Sequence, residues 1–403
     1  MLKPDSRGMT MLLGALIAIA PLSMDIYLPS MPSMTRVLAA SADEVQLTIS
    51  VYMFGWGVAQ LFAGPISDRF GRRPAFLWAL VVYVLASAGC ALAQDIGTLI
   101  AARFVQALSM ATVAVVPRAV VRDLHSGERA AHMLSTMMLV LGIAPVVAPI
   151  LGAELHVRFG WRSTFAFVTL YGVLMWVAVR FGLPETLRKR DPTALDPRIM
   201  LGNWRRVLGS RRYVGFVLTI AGAWSGLFAF LAGSAFVFVD AMGESERAFS
   251  VYLGLVSLGV FAGTALARRA LPRIGLERLI GASAGVMLAA GATMAALAWL
   301  GVRAPLAVAV PMFVFMAAYM GTVPQATAGA LTPYPEIAGS AASLMSFIQF
   351  VIAACVALVV GFAFDGTARP MASAIAAAGT LSFVAFRSLV RRSAGAGPAT
   401  PCR

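Results

Sequence analysis

The chain has 403 residues, of which 60% are hydrophobic and only 12% are charged. Soluble globular proteins carry about 25% charged residues, so this composition excludes a soluble fold and predicts a protein embedded in lipid. The net charge of +14 would suit a nucleic-acid binder. The arginines, however, concentrate in alternate loops between long apolar stretches, so no nucleic-acid partner is expected.

Twelve apolar stretches are long enough to cross a bilayer as helices, which takes roughly 20 residues each. We predict spans at 9–31, 45–67, 74–94, 97–118, 131–156, 162–183, 212–239, 248–268, 277–300, 304–329, 337–363 and 370–391. The first is not a cleaved signal peptide, because its apolar run continues to Asp25 and Pro29. Basic residues cluster at both termini and after even-numbered spans. The sequence therefore predicts a multi-pass protein of the bacterial inner (plasma) membrane with both termini cytoplasmic.

A polar segment at 184–211 separates six predicted spans from six more. We predict a cytoplasmic linker there, between an N-terminal six-helix bundle at 1–183 and a C-terminal six-helix bundle at 212–403. Two six-helix repeats are typical of transporters whose substrate site lies between the halves, near the bilayer midplane. The predicted fold class is an all-α membrane protein with two pseudo-symmetric bundles.

Asp25, within the first span, is the most informative residue. An acid within the membrane costs roughly 2.5 to 3.5 kcal/mol on insertion scales and usually has a function. Arg103 in span 4 lies at a similar depth, about 9 Å from the outer helix end at 1.5 Å per residue. We hypothesise that the two charges pair, that Asp25 loads and releases a coupling proton, and that Arg103 tunes it. The alternative is an acid that reaches water at the outer helix end.

The segment GPISDRFGRRP at 64–74 joins spans 2 and 3. Its glycines allow a tight turn, Asp68 can cap a helix or pair with an arginine, and the arginines can bind carbonyl ends of helices. A topogenic basic loop would explain the arginines but neither Asp68 nor the glycine spacing. The segment resembles the signature loop of the major facilitator superfamily. That resemblance implies a cytoplasmic gate that holds the halves together facing outward, formed by Gly64, Asp68, Arg69, Gly71, Arg72 and Arg73.

Further segments resemble the proton-linked exporters of that superfamily. The run RFVQAL from Arg103 is similar to the proton-linked motif of helix 4, with Ala107 where glycine is usual. The run PVVAPILGA in span 5 resembles the antiporter motif that marks exporters, through Pro145, Pro149 and Gly152. Its prolines bend the helix and its small residues allow close packing. Span 1, 118–124 and 338–349 resemble the bicyclomycin and chloramphenicol resistance branch of the drug:proton antiporters.

The binding site is expected to contain amphipathic side chains between the halves. Aromatic and Met side chains give adaptable apolar contact, and Gln or Tyr add hydrogen bonds. The candidates are Tyr27, Tyr52, Gln60, Trp224, Phe228, Met316, Tyr319, Gln325 and Gln349. For each of them a place in the helix core or against lipid is at least as common. No cofactor or metal is expected, because the cysteines and histidines are scattered and the proton gradient supplies the energy.

The leading interpretation is a proton-coupled antiporter, a monomer in membrane lipid, that exports small amphipathic drugs, with a phenicol as the best single substrate. An exporter of a natural metabolite, such as an amino acid derivative or sugar, has the same fold and remains open. The span 5 motif argues against an importer. A membrane-embedded enzyme has no plausible catalytic constellation in this sequence.

Overall fold

A computed structural model of the chain describes residues 6–125, 127–187 and 189–391. These residues form fourteen α-helices and no β-strand. The helices are α1 (Arg7–Asp25), α2 (Met31–Val37), α3 (Ala42–Phe70), α4 (Arg72–Leu92), α5 (Ile96–Leu124), α6 (Gly127–Phe159), α7 (Arg162–Gly182), α8 (Pro197–Leu208), α9 (Arg211–Ala235), α10 (Glu246–Ile274), α11 (Leu276–Trp299), α12 (Leu306–Leu331), α13 (Ala338–Phe362) and α14 (Arg369–Ala385). Short π-helical turns, Phe236–Ala241 and Phe386–Arg391, extend α9 and α14.

The helices confirm the predicted membrane protein. Within the described residues, twelve helical stretches are long and apolar enough to cross a membrane. The first predicted span corresponds to α1 with α2, spans 2 to 6 correspond to α3 to α7, and spans 7 to 12 correspond to α9 to α14. In lipid, backbone groups must bond within the segment, which explains why almost the whole chain is helical.

The first span is broken, where the sequence predicts one continuous helix. α1 ends at Asp25, and a 3₁₀ turn at Leu28–Ser30 leads into α2. Pro29 has no backbone N–H, so it cannot donate to the carbonyl of Asp25 four residues earlier, as a continuing helix requires. The break leaves carbonyl groups at the end of α1 free to accept other hydrogen bonds.

The linker predicted as an irregular polar segment contains a helix, α8. Asp196 caps its N-terminus by accepting from the backbone N–H of Arg198 at 2.8 Å, and Pro197 occupies the first turn, where a missing N–H costs nothing. Met200 and Val207 are buried. Asn203 Nδ2 donates to Ser340 Oγ at 3.2 Å, which fastens α8 to α13. The linker is therefore attached to the last six spanning helices.

Two seams join the first six spanning helices to the last six: α3 against α13, and α6 against α10. Both depend on small residues. A Cβ at Gly57 of α3 would lie 3.0 Å from Phe350 Cβ of α13. Gly142 of α6 faces the ring of Phe261 on α10, at 3.3 Å from an added Cβ. Such close approaches are the usual basis of helix packing in lipid.

Candidate functional site

Arg103 of α5 lies inside a cage of aromatic rings between α1, α3 and α7. Its side chain is 0% exposed. The guanidinium carbon lies 4.0 Å from the ring centre of Tyr52 and 4.5 Å from that of Tyr27, with Phe165 farther away at 5.8 Å. Desolvated cation–π contacts of this kind are worth about 2 kcal/mol, so the rings partly replace the water that the guanidinium has lost.

A chain of hydrogen bonds fixes the same guanidinium. Arg103 Nη1 donates to the carbonyl oxygen of Ser23 at 3.0 Å and to Gln106 Oε1 at 2.6 Å. Gln106 Nε2 donates to Ser87 Oγ at 2.7 Å, and Ser87 Oγ donates to the carbonyl of Tyr83. The hydroxyl of Tyr83 lies 2.5 Å from Ser23 Oγ, so the chain closes on α1. Three helices, α1, α4 and α5, therefore share one buried polar network.

The structure does not form the ion pair that the sequence suggests between Asp25 and Arg103. Asp25 is nearly buried, at 8% exposed. Within the described residues, its carboxylate has no cation within 4.0 Å and no hydrogen-bond partner. Arg103 instead contacts the carbonyl of Ser23, two residues earlier. Arg103 therefore contacts the end of α1 beside Asp25, but the direct pair is absent from this conformation.

The broken end of α1 explains why Arg103 is stable without a carboxylate. The C-terminal end of a helix carries a partial negative charge and unpaired carbonyls, which attract cations. The Ser23 carbonyl is one of these groups, while that of Leu22 accepts from the N–H of Ile26 at 3.2 Å. Arg103 Nε and Nη2 have no partner in the described structure. The guanidinium thus caps α1 but keeps unused hydrogen-bond donors.

Gly152 of the predicted antiporter motif packs directly against the residue after Asp25. A Cβ at position 152 would lie only 1.7 Å from the carbonyl oxygen of Ile26. No residue other than glycine fits there without displacing a backbone. Pro149, one turn earlier on α6, is buried, and Pro145 lies beside the seam with α10, with its carbonyl oxygen 3.4 Å from Ser257 Oγ. The motif therefore links Asp25's neighbour to the last six spanning helices.

An aromatic cluster lies between the two halves. Trp56 of α3 stacks on Phe350 of α13 with ring centres 4.8 Å apart, and Trp224 of α9 lies 5.2 Å from the same phenyl ring. Phe228 stacks on Trp224 with ring centres 5.4 Å apart. Tyr319 of α12 meets Trp224 edge-on, with ring centres 5.7 Å apart. The structure brings together three predicted binding residues and adds Trp56 and Phe350, which sequence reasoning missed.

The other predicted binding residues lie elsewhere. Tyr27 and Tyr52 belong to the cage around Arg103, where the Tyr27 hydroxyl lies 3.1 Å from Thr48 Oγ1. Met316 is buried against Gly259 of α10. The remaining three are glutamines. Gln60 of α3 and Gln349 of α13 are buried, and Gln325 of α12 is half-buried.

The loop at 64–74 is held by polar contacts within its own half and with the start of the linker. Arg72 binds Asp68 at 2.5 Å and Asp123 of α5 at 2.9 Å. Gly71 has a φ of 108°, a region that favours glycine, and the Glu185 carboxylate accepts from the backbone N–H groups of Arg72 and Arg73. In the described ranges, these polar side chains make no hydrogen bond or ion pair with α9 to α14. Of the other predicted gate residues, Arg69 is exposed, and a Cβ at Gly64 would meet no atom within 4 Å.

The opposite side of the molecule carries ion pairs between the halves. Glu154 of α6 binds Arg247 of α10 through both carboxylate oxygens, at 2.7 and 3.2 Å. His156 Nε2 lies 3.1 Å from Glu246 Oε1. Glu246 lies 90 positions from His156 along the chain, so local sequence does not reveal this contact. This side thus carries polar side-chain contacts between the halves, whereas the side chains of the 64–74 loop make no hydrogen bond or ion pair to α9–α14 among the described residues.

Comparisons with known proteins agree with this architecture. The family model described as Major Facilitator Superfamily matches residues 13–358. The chain belongs to the Major Facilitator Superfamily. Members of this superfamily are transporters, so the chain is a multi-pass membrane transporter and not an enzyme.

Similar proteins narrow the branch. The chain is 29% identical to a bicyclomycin resistance protein homolog of Haemophilus influenzae, with 94% of this chain and 96% of that protein covered. It is 27% identical to a chloramphenicol resistance protein of Pseudomonas aeruginosa, over 82% and 78% of the two chains. Among solved structures, the xylose transporter XylE from E. coli, in a partially occluded inward open conformation, superposes with a TM-score of 0.75 at 13% identity, covering 98% of both chains. The transporter therefore resembles antibiotic-resistance proteins in sequence and a sugar transporter only in fold.

Proposed function

We propose that this transporter is a proton-coupled antiporter that exports small hydrophobic drugs by alternating access. The observation that carries the proposal is Asp25, an acid inside the membrane with no counter-ion in the described structure, at the broken end of α1. An acid in this position exchanges a proton as its hydration or its distance from Arg103 changes. The names of the resistance relatives support a drug as the exported partner.

The arginine-rich side, which carries the 64–74 loop and α8, is cytoplasmic in this proposal, and so are both termini. The conformation is then closed to the outside by the Glu154–Arg247 and His156–Glu246 pairs. The gate attributed to Asp68 and the arginines closes the cytoplasmic side in the other state. In the present state the polar side chains of this gate bind only the first half and the start of the linker, so they do not hold the two halves together.

The transport cycle follows from these two states. In the outward-facing state, water reaches Asp25, which takes up a proton and releases the drug. Reorientation then exposes the site to the cytoplasm, where Asp25 loses the proton and a drug enters. We attribute the coupling of the two events to the contact between Ile26, which follows Asp25, and Gly152 of α6, because α6 also packs against α10 of the other half.

The aromatic cluster around Trp224 and Phe350 is the proposed drug site. Stacked and edge-on rings from α3, α9, α12 and α13 form an apolar cluster shared by both halves, which suits small aromatic or apolar ligands. Chloramphenicol is the probe of choice. An exporter of a natural metabolite remains the second candidate, because the same cluster accepts any compound of similar shape.

A drug panel in an efflux-deficient bacterial host tests this function. The wild type should raise resistance to chloramphenicol or to another apolar drug, whereas Asp25→Asn and Arg103→Ala should not, although both proteins reach the membrane. Asp365→Asn is the matched control, because Asp365 lies exposed in the loop between α13 and α14 and binds only Thr367 in the described structure. Unchanged susceptibility to every compound would favour the metabolite. Full efflux by Asp25→Asn would exclude it as the coupling acid.

A further inference from the structure

Gln106 lies between Arg103 and α4 and binds both. Its Oε1 accepts from Arg103 Nη1 at 2.6 Å, and its Nε2 donates to Ser87 Oγ at 2.7 Å. Both side chains are 0% exposed, and the Ser87 hydroxyl is itself oriented by its bond to the Tyr83 carbonyl at 2.7 Å. The orientation of the Arg103 guanidinium is therefore set by α4, a helix that contributes nothing to the aromatic cluster.

We propose that Gln106 and Ser87 are positioning residues that hold the guanidinium of Arg103 on the Ser23 carbonyl and away from the Asp25 carboxylate. They thereby set the pH at which Asp25 exchanges its proton. The inference rests on the proposed function only in taking Asp25 as the group that exchanges the proton.

The physical reason is that the buried Arg103 cation has hydrogen-bond donors without acceptors. Arg103 Nε and Nη2 have no hydrogen-bond partner in the described structure, and an unpaired buried charge gains strongly from any acid that it can reach. α1 carries such an acid, Asp25, two residues beyond the carbonyl that Arg103 already contacts. Without the fixed amide of Gln106, the guanidinium is free to turn toward that carboxylate.

Other titratable groups face this pair from each neighbouring helix. They are three tyrosines and a cysteine around Arg103 and Ser23, together with two residues of α6 beyond Gly152 that are bound by α10: Tyr27, Tyr52, Tyr83, Cys90, Glu154 and His156. None of these replaces Arg103 as a cation next to Asp25. The position of the Arg103 guanidinium is consequently what changes the electrostatic environment of Asp25.

The sign of the effect follows. An opposite charge within about 4 to 6 Å favours the ionised carboxylate by about 1 to 3 pH units. Gln106→Leu keeps the bulk but frees Arg103, so Asp25 should lose its proton about 1 unit lower in pH. Ser87→Ala only loosens Gln106 and should move the profile in the same direction by less. Gln106→Glu keeps an oxygen acceptor for Arg103 and should not lower the pH at which Asp25 loses its proton.

The test measures the protonation of Asp25 without any drug. Dicyclohexylcarbodiimide reacts with protonated carboxyl groups in membranes, and mass spectrometry of the full-length purified transporter localises the adduct. The extent of labelling at Asp25 is followed against pH for the wild type and each variant. Asp25→Asn gives the background, and thermal unfolding checks that each variant folds. Ser109→Ala is the matched control, because Ser109 is buried on the same helix and donates only to the Gln106 backbone carbonyl.

The expected result is a midpoint lowered by about 1 unit in Gln106→Leu, lowered less in Ser87→Ala, unchanged in Ser109→Ala and not lowered in Gln106→Glu. An unmoved midpoint in Gln106→Leu would overturn the proposal, and so would an equal shift in Ser109→Ala. Absence of labelling at Asp25 in the wild type across the physiological pH range would overturn it as well. These outcomes are independent of whether the drug panel finds a substrate.

Discussion

Gly152→Ala should uncouple the transporter with the smallest possible change in side chain. The added Cβ would lie 1.7 Å from the carbonyl oxygen of Ile26, whereas real Cβ atoms keep at least 3.0 Å from such atoms. The two backbones must therefore separate by about 1.3 Å, the difference between these distances. Overpacking of this kind costs about 1 to 3 kcal/mol, partly offset by the 0.5 to 1 kcal/mol that alanine gains over glycine in a helix.

The separation occurs beside Asp25, so the effect on transport should exceed the effect on stability. A displacement of about 1 Å at a reacting group costs up to roughly 100-fold in rate, and we expect drug efflux to fall by about 10-fold or more. The assay compares energised efflux of chloramphenicol in cells with the amount of protein in the membrane. Gly14→Ala is the control, since Gly14 of α1 also faces α6 but its Cβ would meet Val140 at an ordinary 3.4 Å. Wild-type efflux by Gly152→Ala would refute the reasoning.

Three other predictions test separate parts of the molecule. Glu154→Arg or Arg247→Glu alone should change efflux by up to about 5-fold, because an exposed pair is worth up to about 1 kcal/mol, and the double exchange should restore the wild-type rate. Trp224→Ala should weaken chloramphenicol binding by about 10-fold in equilibrium binding, whereas Trp78→Ala, 72% exposed on α4, should leave it unchanged. Gly71→Ala should lower the thermal unfolding temperature, because alanine at a φ of 108° and ψ of 153° costs about 1 to 3 kcal/mol; equal stability would contradict this.

The spanning helices were predictable because lipid leaves the chain few choices. A stretch of apolar residues that cannot bond its backbone to water must form a helix, so hydropathy alone predicts all twelve. The break in the first span was not predicted, since its apolar run continues through the turn at Leu28–Ser30. Pro29 was visible, but proline also occurs within intact spanning helices, such as Pro311 in α12.

The helix α8 was missed for the opposite reason. Its segment contains a proline and several arginines, a composition that is typical of a polar loop. A signal was present: Asp196 and Pro197 form a helix start, and Met200, Trp204 and Val207 recur at helical spacing. A polar linker should therefore be examined for helical spacing of its apolar residues, just as an apolar segment is.

Some members of the candidate site were predictable, but others, such as Trp56 and Phe350, and the pairings were not. Depth along two helices placed Asp25 near Arg103, but which acceptor the guanidinium takes depends on helix rotation and on partners from α4. Pairs between distant segments, such as Glu154 with Arg247, leave no trace in local sequence. The domain boundaries at 184–211, the gate and the monomeric state stay predictions.

The central claim, exchange of protons for drug through Asp25, is tested most directly in proteoliposomes that contain the purified transporter and a pH-sensitive dye. With no imposed gradient, addition of chloramphenicol on one side should drive protons in the opposite direction, and an imposed pH gradient should concentrate the drug. Asp25→Asn should abolish both fluxes while the protein remains folded. Gradient-driven drug accumulation by Asp25→Asn equal to that of the wild type would contradict the account.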